Sequence, residues 1–597
     1  MRTTPYCTPR AVAARGLAIA AVAMAAGAAP APRPARAQPD DPLRVLTSEG
    51  LLRGAVDGGS ASWKNVPYAA PPLGALRWRA PQPPALRARE RDAAAYGPAC
   101  PQLPGGVLRP DVTPAWSEDC LQLNVWAPLD ARLPRPLPIL VWFHGGGLIQ
   151  GSAVEPLYNG AALAAGQGVV VVTVNYRLGA LGYLAHRAFV GADPAAPGAG
   201  NYGLLDQIAA LDWLQANAAA FGGDPGRVTI FGESAGGVSV CALLASPLAR
   251  GRFHAAVMQS GACRDALARL DGARPLPPAL AQGDRFSAAA GCVDAADEAA
   301  CLRALDAAAV LATLPGEIGI LNPGAETYDL VVDGHALTEP PGAAVAAGRA
   351  AAVPFALGAN ADEGTLFAQP FKATLTAAGY EAAVRSLYRG DADAVLALYP
   401  ASSYDAPYLA LADVTGDVGF VCPARRVARA HAAAGRPTWL YHFAFVTALG
   451  RASGLGSHHG AEIPFLFGDP DGGAGAAAAG PDARALARTM QRFWANIARD
   501  GAPGAVAVDG AAGDPLGWAR YDPAADIGLQ FGAKPRATTG WRAAKCDLWD
   551  RLAFAGGAPP PASPTAAAAT ATPGGRPTAT PDAAARGRAV LPVAFVP

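Results

Sequence analysis

Short apolar runs alternate with stretches of helical spacing along most of this chain, and their order predicts an α/β fold. Residues 43–69 carry brief apolar runs broken by turn residues at Glu49-Gly50 and Asp57-Gly58-Gly59, the pattern of small strands. The second half of Ser117-Glu118-Asp119-Cys120-Leu121-Gln122-Leu123-Asn124-Val125-Trp126 alternates as a half-buried strand does. Residues 137–143 and 168–174 are almost continuously apolar, which is how a strand covered on both faces reads. Residues 201–221 set Leu204, Leu205, Ile208, Leu211 and Leu214 on one helical stripe. A strand at Val228 to Phe231, a helix and a strand over 253–259 follow. Residues 264–350 read as Ala-rich helices and loops, 353–358 as a strand, 375–435 as helical, 438–445 as a strand and 481–499 as an amphipathic helix. Strand and helix in this repeat predict a large, mostly parallel central sheet flanked by helices.

The two ends depart from that pattern. Arg2, Arg10 and Arg15 precede a small-residue apolar run over 16–29, and Ala35-Arg36-Ala37 forms an A-x-A cleavage site. Residues 1–37 therefore read as a secretory signal peptide, too short in its apolar part to span a bilayer. From residue 556 the chain turns to Pro, Ala and Thr, as in Pro559-Pro560-Pro561 and Thr578-Ala579-Thr580-Pro581, without the means to form a core. The expected organisation is a leader over 1–37, one α/β domain over 38–555 and a disordered tail over 556–597. No stable membrane span is expected.

Charge changes the picture little. Basic and acidic side chains balance at 48 each, and without residues 1–37 they stand at 43 and 48. No basic excess points to nucleic acid. Nine cysteines occur, and eight remain after the leader: Cys100, Cys120, Cys241, Cys263, Cys292, Cys301, Cys422 and Cys546. An even number in an exported chain favours disulfides, and the lack of a C-x-x-C pair argues against a zinc or redox site. Neither a metal nor a cofactor is expected.

The candidate chemistry centres on Gly232-Glu233-Ser234-Ala235-Gly236, a G-x-S-x-G pentapeptide at the end of an apolar run. Read physically it is a strand, a sharp turn with Ser234 at its tip, and a helix. Backbone N–H groups at that helix start favour an anion. This is the nucleophile elbow of the α/β-hydrolases. A serine nucleophile needs a base, an acid to orient the base, and N–H donors for the oxyanion. In this fold the acid and then the base follow the serine in the chain. Of eight histidines, four lie beyond residue 400. His431 falls in helical sequence and His442 in a strand, where structural roles are expected, whereas His458 and His459 lie in a polar, Gly-rich loop after a strand.

Over roughly residues 43–554 the chain resembles the type-B carboxylesterase/cholinesterase family. The resemblance is carried by the elbow, by the 117–125 segment, and by His144-Gly145-Gly146-Gly147, Asn175-Tyr176-Arg177, Gly203-Leu204-Leu205-Asp206-Gln207 and Phe221-Gly222-Gly223-Asp224-Pro225. It implies Ser234 as nucleophile and Glu363 as acid, from Asn360-Ala361-Asp362-Glu363-Gly364, in preference to Asp362. It implies His459 as base, from His459-Gly460-Ala461-Glu462-Ile463, with His458 a neighbour. Oxyanion donors would be the N–H groups of Gly146, Gly147 and Ala235. Ser260 would be a buried serine near the acid, and Arg77–Glu118 and Arg177–Asp206 structural ion pairs. The family's bridges correspond to Cys100–Cys120, Cys292–Cys301 and Cys422–Cys546. Cys241 and Cys263 are expected to form a fourth bridge, the alternative being two free buried thiols.

Leu148 is expected to border an active-site gorge at the strand carboxyl ends. The only Trp of the first disulfide loop, Trp116, sits beside Cys120, unlike the choline-binding Trp of cholinesterases. The expected activity is a secreted or periplasmic carboxylesterase acting on small or lipid-like esters, as a monomer. A lipase or a polyester, toxin or carbamate hydrolase is the nearer alternative, and a non-catalytic adhesion protein the alternative of another class.

Overall fold

The computed structural model of the protein describes residues 41–553 apart from 105–114, 130–135, 195, 273–275, 322–324, 471–479 and 510–514. The expected leader over 1–37 and tail over 556–597 lie outside the described residues.

The central sheet has 11 strands. In chain order they are β1 (Ala55–Asp57), β2 (Ser60–Pro67), β3 (Gln122–Pro128), β4 (Leu137–Phe143), β5 (Val170–Val174), β6 (Gly223–Glu233), β7 (Ala255–Gln259), β8 (Phe355–Asn360), β9 (Thr438–Phe443), β10 (Ile527–Phe531) and β11 (Arg536–Thr539). Across the sheet they run β11-β10-β9-β8-β7-β6-β4-β5-β3-β2-β1. Every neighbouring pair from β5 to β10 is parallel. The margins are antiparallel, with β11 on β10 at one side and β1, β2 and β3 beyond β5 at the other. The expected α/β-hydrolase sheet is therefore present, mostly parallel and flanked by helices. Five of the helices matter below: α1 (Tyr202–Asn217), α2 (Ala235–Ala245), α3 (Pro407–Gly416), α4 (Cys422–Ala433) and α5 (Pro481–Asp500).

The continuous apolar runs are explained by burial on both faces. In β4, Ile139, Val141 and Phe143 join a core with α1 and α2, while Leu140 and Trp142 join a second core with Met490, Phe493 and Trp494 of α5. Alternate residues face opposite sides, so a strand between two helix layers has no solvent face to make polar.

Helix α1 differs from the amphipathic stripe expected of it. Leu204, Ile208, Leu211 and Leu214 are buried, but so are Asp206, Gln207, Trp213 and Asn217 on its other sides. Neighbouring elements supply partners that make this burial tolerable. Arg177 forks onto Asp206 at 2.8 and 2.7 Å, Gln207 donates to Ser239 Oγ at 2.9 Å, and Trp213 donates to Glu49 at 2.9 Å. The second structural pair is also formed, Arg77 reaching both oxygens of Glu118 at 2.8 and 2.5 Å.

Four cysteine pairs stand at disulfide geometry: Cys100–Cys120, Cys241–Cys263, Cys292–Cys301 and Cys422–Cys546, with Cα separations of 5.0, 5.4, 5.7 and 4.9 Å. Such a set fits an oxidising compartment. No helix among the described residues is long and apolar enough to cross a membrane.

Candidate active site

The carboxyl ends of the parallel strands meet at one edge of the sheet. Register pairs Phe143 with Gly232, Glu233 with Gln259, and Asn360 with Phe443. Strand β6 ends at Glu233 and α2 begins at Ala235, so Ser234 is the whole of the turn between them. Its φ of 55° is a conformation side-chain-bearing residues seldom adopt. The turn is tight because strand β4 passes directly beneath it. A Cβ on Gly232 would lie 2.7 Å from the Phe143 carbonyl oxygen, and one on Gly236 would lie 2.0 Å from that same oxygen. Two bonds hold the turn: Ser234 N–H donates to the Gln259 carbonyl at 2.9 Å, and Val238 N–H donates to the Ser234 carbonyl at 2.9 Å.

The glycine run after β4 folds back over the same turn. Gly146, Gly147 and Leu148 have φ of 107°, 64° and 62°. A Cβ on Gly145 would lie 3.0 Å from Ser234 Cβ, which places this loop against the serine. Among the described residues, no acceptor takes the N–H groups of Gly146, Gly147 or Ala235. His144 is buried, stacks on Tyr176 at 4.3 Å, and is held neutral by a pKa that burial lowers to about 4.

Beyond β8, Glu363 lies in the turn that follows Asn360, and beyond β9, His459 follows a short helix, Ala448–Ser453. Backbone and side-chain bonds join these segments. Asp362 N–H donates to the Ser457 carbonyl, Ser457 N–H donates to Asp362 Oδ2 at 2.7 Å, and Ser457 Oγ donates to the Phe443 carbonyl at 3.0 Å. The outcome separates the two paired candidates. Glu363 Oε2 lies 2.6 Å from His459 Nδ1, and its Oε1 accepts the Asn360 N–H at 2.6 Å. Asp362 only ties the loop backbone, and the His458 ring faces the His459 carbonyl at 2.8 Å.

The other imidazole nitrogen meets a residue to which the sequence reading assigned no role. His459 Nε2 lies 3.1 Å from Glu233 Oε1 and makes no hydrogen bond to a described residue, Ser234 included. Glu233, Glu363 and Glu462 are all buried around the ring. Burial alone pulls the His459 pKa down, and the Glu233 and Glu363 carboxylates outweigh it, raising it to about 9. Burial pushes Glu233 up to about 8, with His459 opposing, and burial also raises Glu462. The carboxylates on either side of the ring thus favour the imidazolium over the neutral imidazole. The ring is also packed on Phe420 and Phe367, with centroids at 4.4 and 5.1 Å.

Residues 41–549 match the model of the carboxylesterase family. The chain belongs to that family. This carboxylesterase is 37% identical over 470 residues to the para-nitrobenzyl esterase of Bacillus subtilis (strain 168), covering 78% of this chain and 91% of that one. It is 36% identical over 515 residues to the fumonisin B1 esterase of Sphingopyxis macrogoltabida, covering 83% and 88%. A solved structure of PNB esterase superposes with a TM-score of 0.71 at 32% identity, covering 85% of this chain and 99% of the other. The protein is an ester hydrolase, and relatives named as esterases do not favour a non-catalytic adhesion protein.

The remaining expected positions fall as follows. Ser260 follows β7 with φ of 45° and donates its N–H to the Gly358 carbonyl at 2.8 Å, but its hydroxyl has no partner among the described residues. Leu148 is buried in the main core, and the next residues, Ile149 and Gln150, line a cleft. His431 and His442 are buried in α4 and β9, with pKa values that burial lowers to about 4 and about 3, as structural histidines would have.

In the carboxylesterase the sequence reading also left Asn360 and Glu462 without roles, though both stand inside the motifs that carry Glu363 and His459. Asn360 Nδ2 donates to Glu462 Oε2 at 2.6 Å and to the His458 carbonyl at 2.7 Å, while Gln259 Nε2 donates to Glu462 Oε1 at 3.1 Å. The signal was visible as polar residues within those two motifs; what it lacked was a partner at a distance in sequence.

Proposed function

We propose that this carboxylesterase hydrolyses small, predominantly apolar carboxylic esters through an acyl-enzyme on Ser234. The contact of 2.6 Å between His459 Nδ1 and Glu363 Oε2, beside the elbow, carries the reading. Glu363 fixes the imidazole so that Nε2 is turned toward the elbow, and stabilises the imidazolium when it forms. His459 takes the Ser234 proton as Oγ attacks the ester carbonyl, and returns it to the departing alcohol. Water then repeats the sequence on the acyl-enzyme, with His459 again as base. The N–H groups of Gly146, Gly147 and Ala235 would bind the oxyanion, each such donor being worth ~3 kcal/mol in the transition state. The open Nε2 to Ser234 contact is of the kind that closes when substrate is bound.

Glu233 sets the pH range of this chemistry. Its carboxylate favours the imidazolium, and only the neutral ring can accept a proton. In Glu233→Gln the acidic limb of the kcat/KM profile is expected to move to lower pH, because the raising influence on His459 is removed. A pH profile of the variant with the limb unmoved, or moved upward, would show that Glu233 does not act on the base.

The substrate class is supported by a cleft of about 280 Å³ next to the glycine loop. Leu103, Ile149, Leu311, Leu314, Ile318 and Tyr328 are among its lining residues, beside the polar Gln150 and Glu317. Relatives named for a para-nitrobenzyl ester and for fumonisin B1 stand at 37% and 36% identity, so names do not choose between substrates and the cleft is the better guide. Across p-nitrophenyl esters from acetate to palmitate, kcat/KM is expected to rise about fourfold per buried methylene, as ~0.8 kcal/mol each implies, and then fall once the cleft is full. A rise that continues through palmitate would support the lipase reading, and no hydrolysis of any member would sink the ester reading itself. Export to an oxidising compartment is supported by the four cysteine pairs.

A further inference from the structure

The loop over residues 145–151 is held by a side chain from outside it. Gln102, two residues into the Cys100–Cys120 segment, is buried at 6% exposure. Its carboxamide faces Gly151 as a neighbouring strand would: Gly151 N–H donates to Gln102 Oε1 at 2.9 Å, and Gln102 Nε2 donates to the Gly151 carbonyl at 3.0 Å. The second Nε2 hydrogen goes to the Cys100 carbonyl at 3.0 Å, so both donors are used. Gly151 offers one donor and one acceptor side by side, which fixes the orientation of the amide.

Gly151 in turn presses on the first peptide of the loop. At φ 101° it lies so close to the neighbouring strand end that an added Cβ would stand 2.4 Å from the Gly145 carbonyl oxygen and 2.5 Å from His144 Nδ1. The Gly145 carbonyl and the Gly146 N–H belong to one planar peptide group, so whatever fixes the oxygen also aims the N–H. The loop needs such restraint. It contains left-handed backbone at Gly146, Gly147, Leu148 and Gly151, and for leucine that conformation persists only where its surroundings over-determine it. The middle of the loop is tied by Gly179 N–H donating to the Leu148 carbonyl at 2.8 Å. The far end is tied by Gln102.

We propose that Gln102 is a positioning residue for the oxyanion donors, acting through Gly151 and the Gly145–Gly146 peptide. The inference rests on the reading of the Gly146 and Gly147 N–H groups as oxyanion donors. Gln102 touches neither substrate nor reacting atoms. The Gly145 carbonyl also lies 2.9 Å from His144 Nδ1, so loss of Gln102 loosens this peptide without releasing it, and the N–H meets the oxygen where negative charge develops less squarely. Ground-state binding, which depends on the apolar cleft, is left in place.

The test compares wild type with Gln102→Met, which fills the same space without hydrogen bonds, and Gln102→Asn, which stays polar but is one methylene too short to reach Gly151. Rates are taken per active site titrated with diethyl p-nitrophenyl phosphate, on matched p-nitrophenyl oxo-ester and thiono-ester substrates. Sulfur is a poor acceptor, so a working oxyanion site turns over the oxo-ester much faster. Both variants are expected to lose about 10- to 100-fold in kcat for the oxo-ester, with KM within about twofold, and to show a smaller oxo/thiono ratio. Wild-type kcat in the variants overturns the proposal, and so does a lowered kcat with the wild-type ratio retained. If Gln102→Met yields no titratable enzyme, Gln102→Asn decides by the same two numbers. A wild-type enzyme without any oxo/thiono preference would instead strike at the oxyanion reading, which keeps the two failures apart.

Discussion

Ser234→Ala is expected to lower kcat toward p-nitrophenyl esters on the order of a million-fold, with KM changed by no more than a few-fold. Removing the nucleophile of an acyl-transfer unit forfeits the covalent route, and the remaining groups of the unit are then idle. What survives is the binding cleft and the oxyanion donors, which by themselves still exceed the uncatalysed reaction by roughly a thousand-fold or more. The fold is expected to be untouched. The turn is held by backbone bonds at Ser234 N–H and Ser234 C=O, both of which alanine keeps. Steady-state kinetics, with phosphonate labelling as a second readout, check this. A variant within tenfold of wild type, or one still labelled stoichiometrically, would mean that the acyl-enzyme forms elsewhere.

The second large effect separates two adjacent histidines. His459→Ala is expected to lower kcat by roughly ten-thousand-fold or more, and His458→Ala to stay within about tenfold of wild type. The reason is which ring meets the acid: His459 Nδ1 lies at 2.6 Å from Glu363, whereas the His458 ring meets only the His459 carbonyl. On the proposed mechanism nucleophile and base act as one unit, so Ser234→Ala combined with His459→Ala should be little worse than either alone. Additive losses would indicate independent roles. The reverse ranking of the two single variants would move the base to His458 and leave the Glu363 contact as scaffolding.

Much of the architecture was legible from the pattern of side chains. Strand β4 is found over the residues expected of it, and β5 and α5 within a residue or two, because each is long enough to repeat its period and apolar enough to be unambiguous. The edge pieces were not read. Ile527–Phe531 and Arg536–Thr539 are short and lie at the sheet margin, where partial exposure mixes polar residues into the pattern. Helix α1 was read as a helix but not as a buried one. Its polar side chains find Arg177, Ser239 and Glu49 from distant segments, and periodicity carries no record of partners.

The candidate site divides in the same way. By itself the sequence singled out the candidate segments: a serine at a strand-to-helix turn, a glycine run after another strand, an acid-bearing and a histidine-bearing loop after two more. These follow from local constraints, since glycines at 232 and 236 are required wherever backbone must pass within van der Waals distance. Only the tertiary structure decided how those segments face one another. It set Glu363 rather than Asp362 on His459, brought the Glu233 carboxylate to the other ring nitrogen, and put the Gln102 amide against Gly151. Each of these contacts joins residues far apart in sequence, so the deciding distances exist only after the chain has folded.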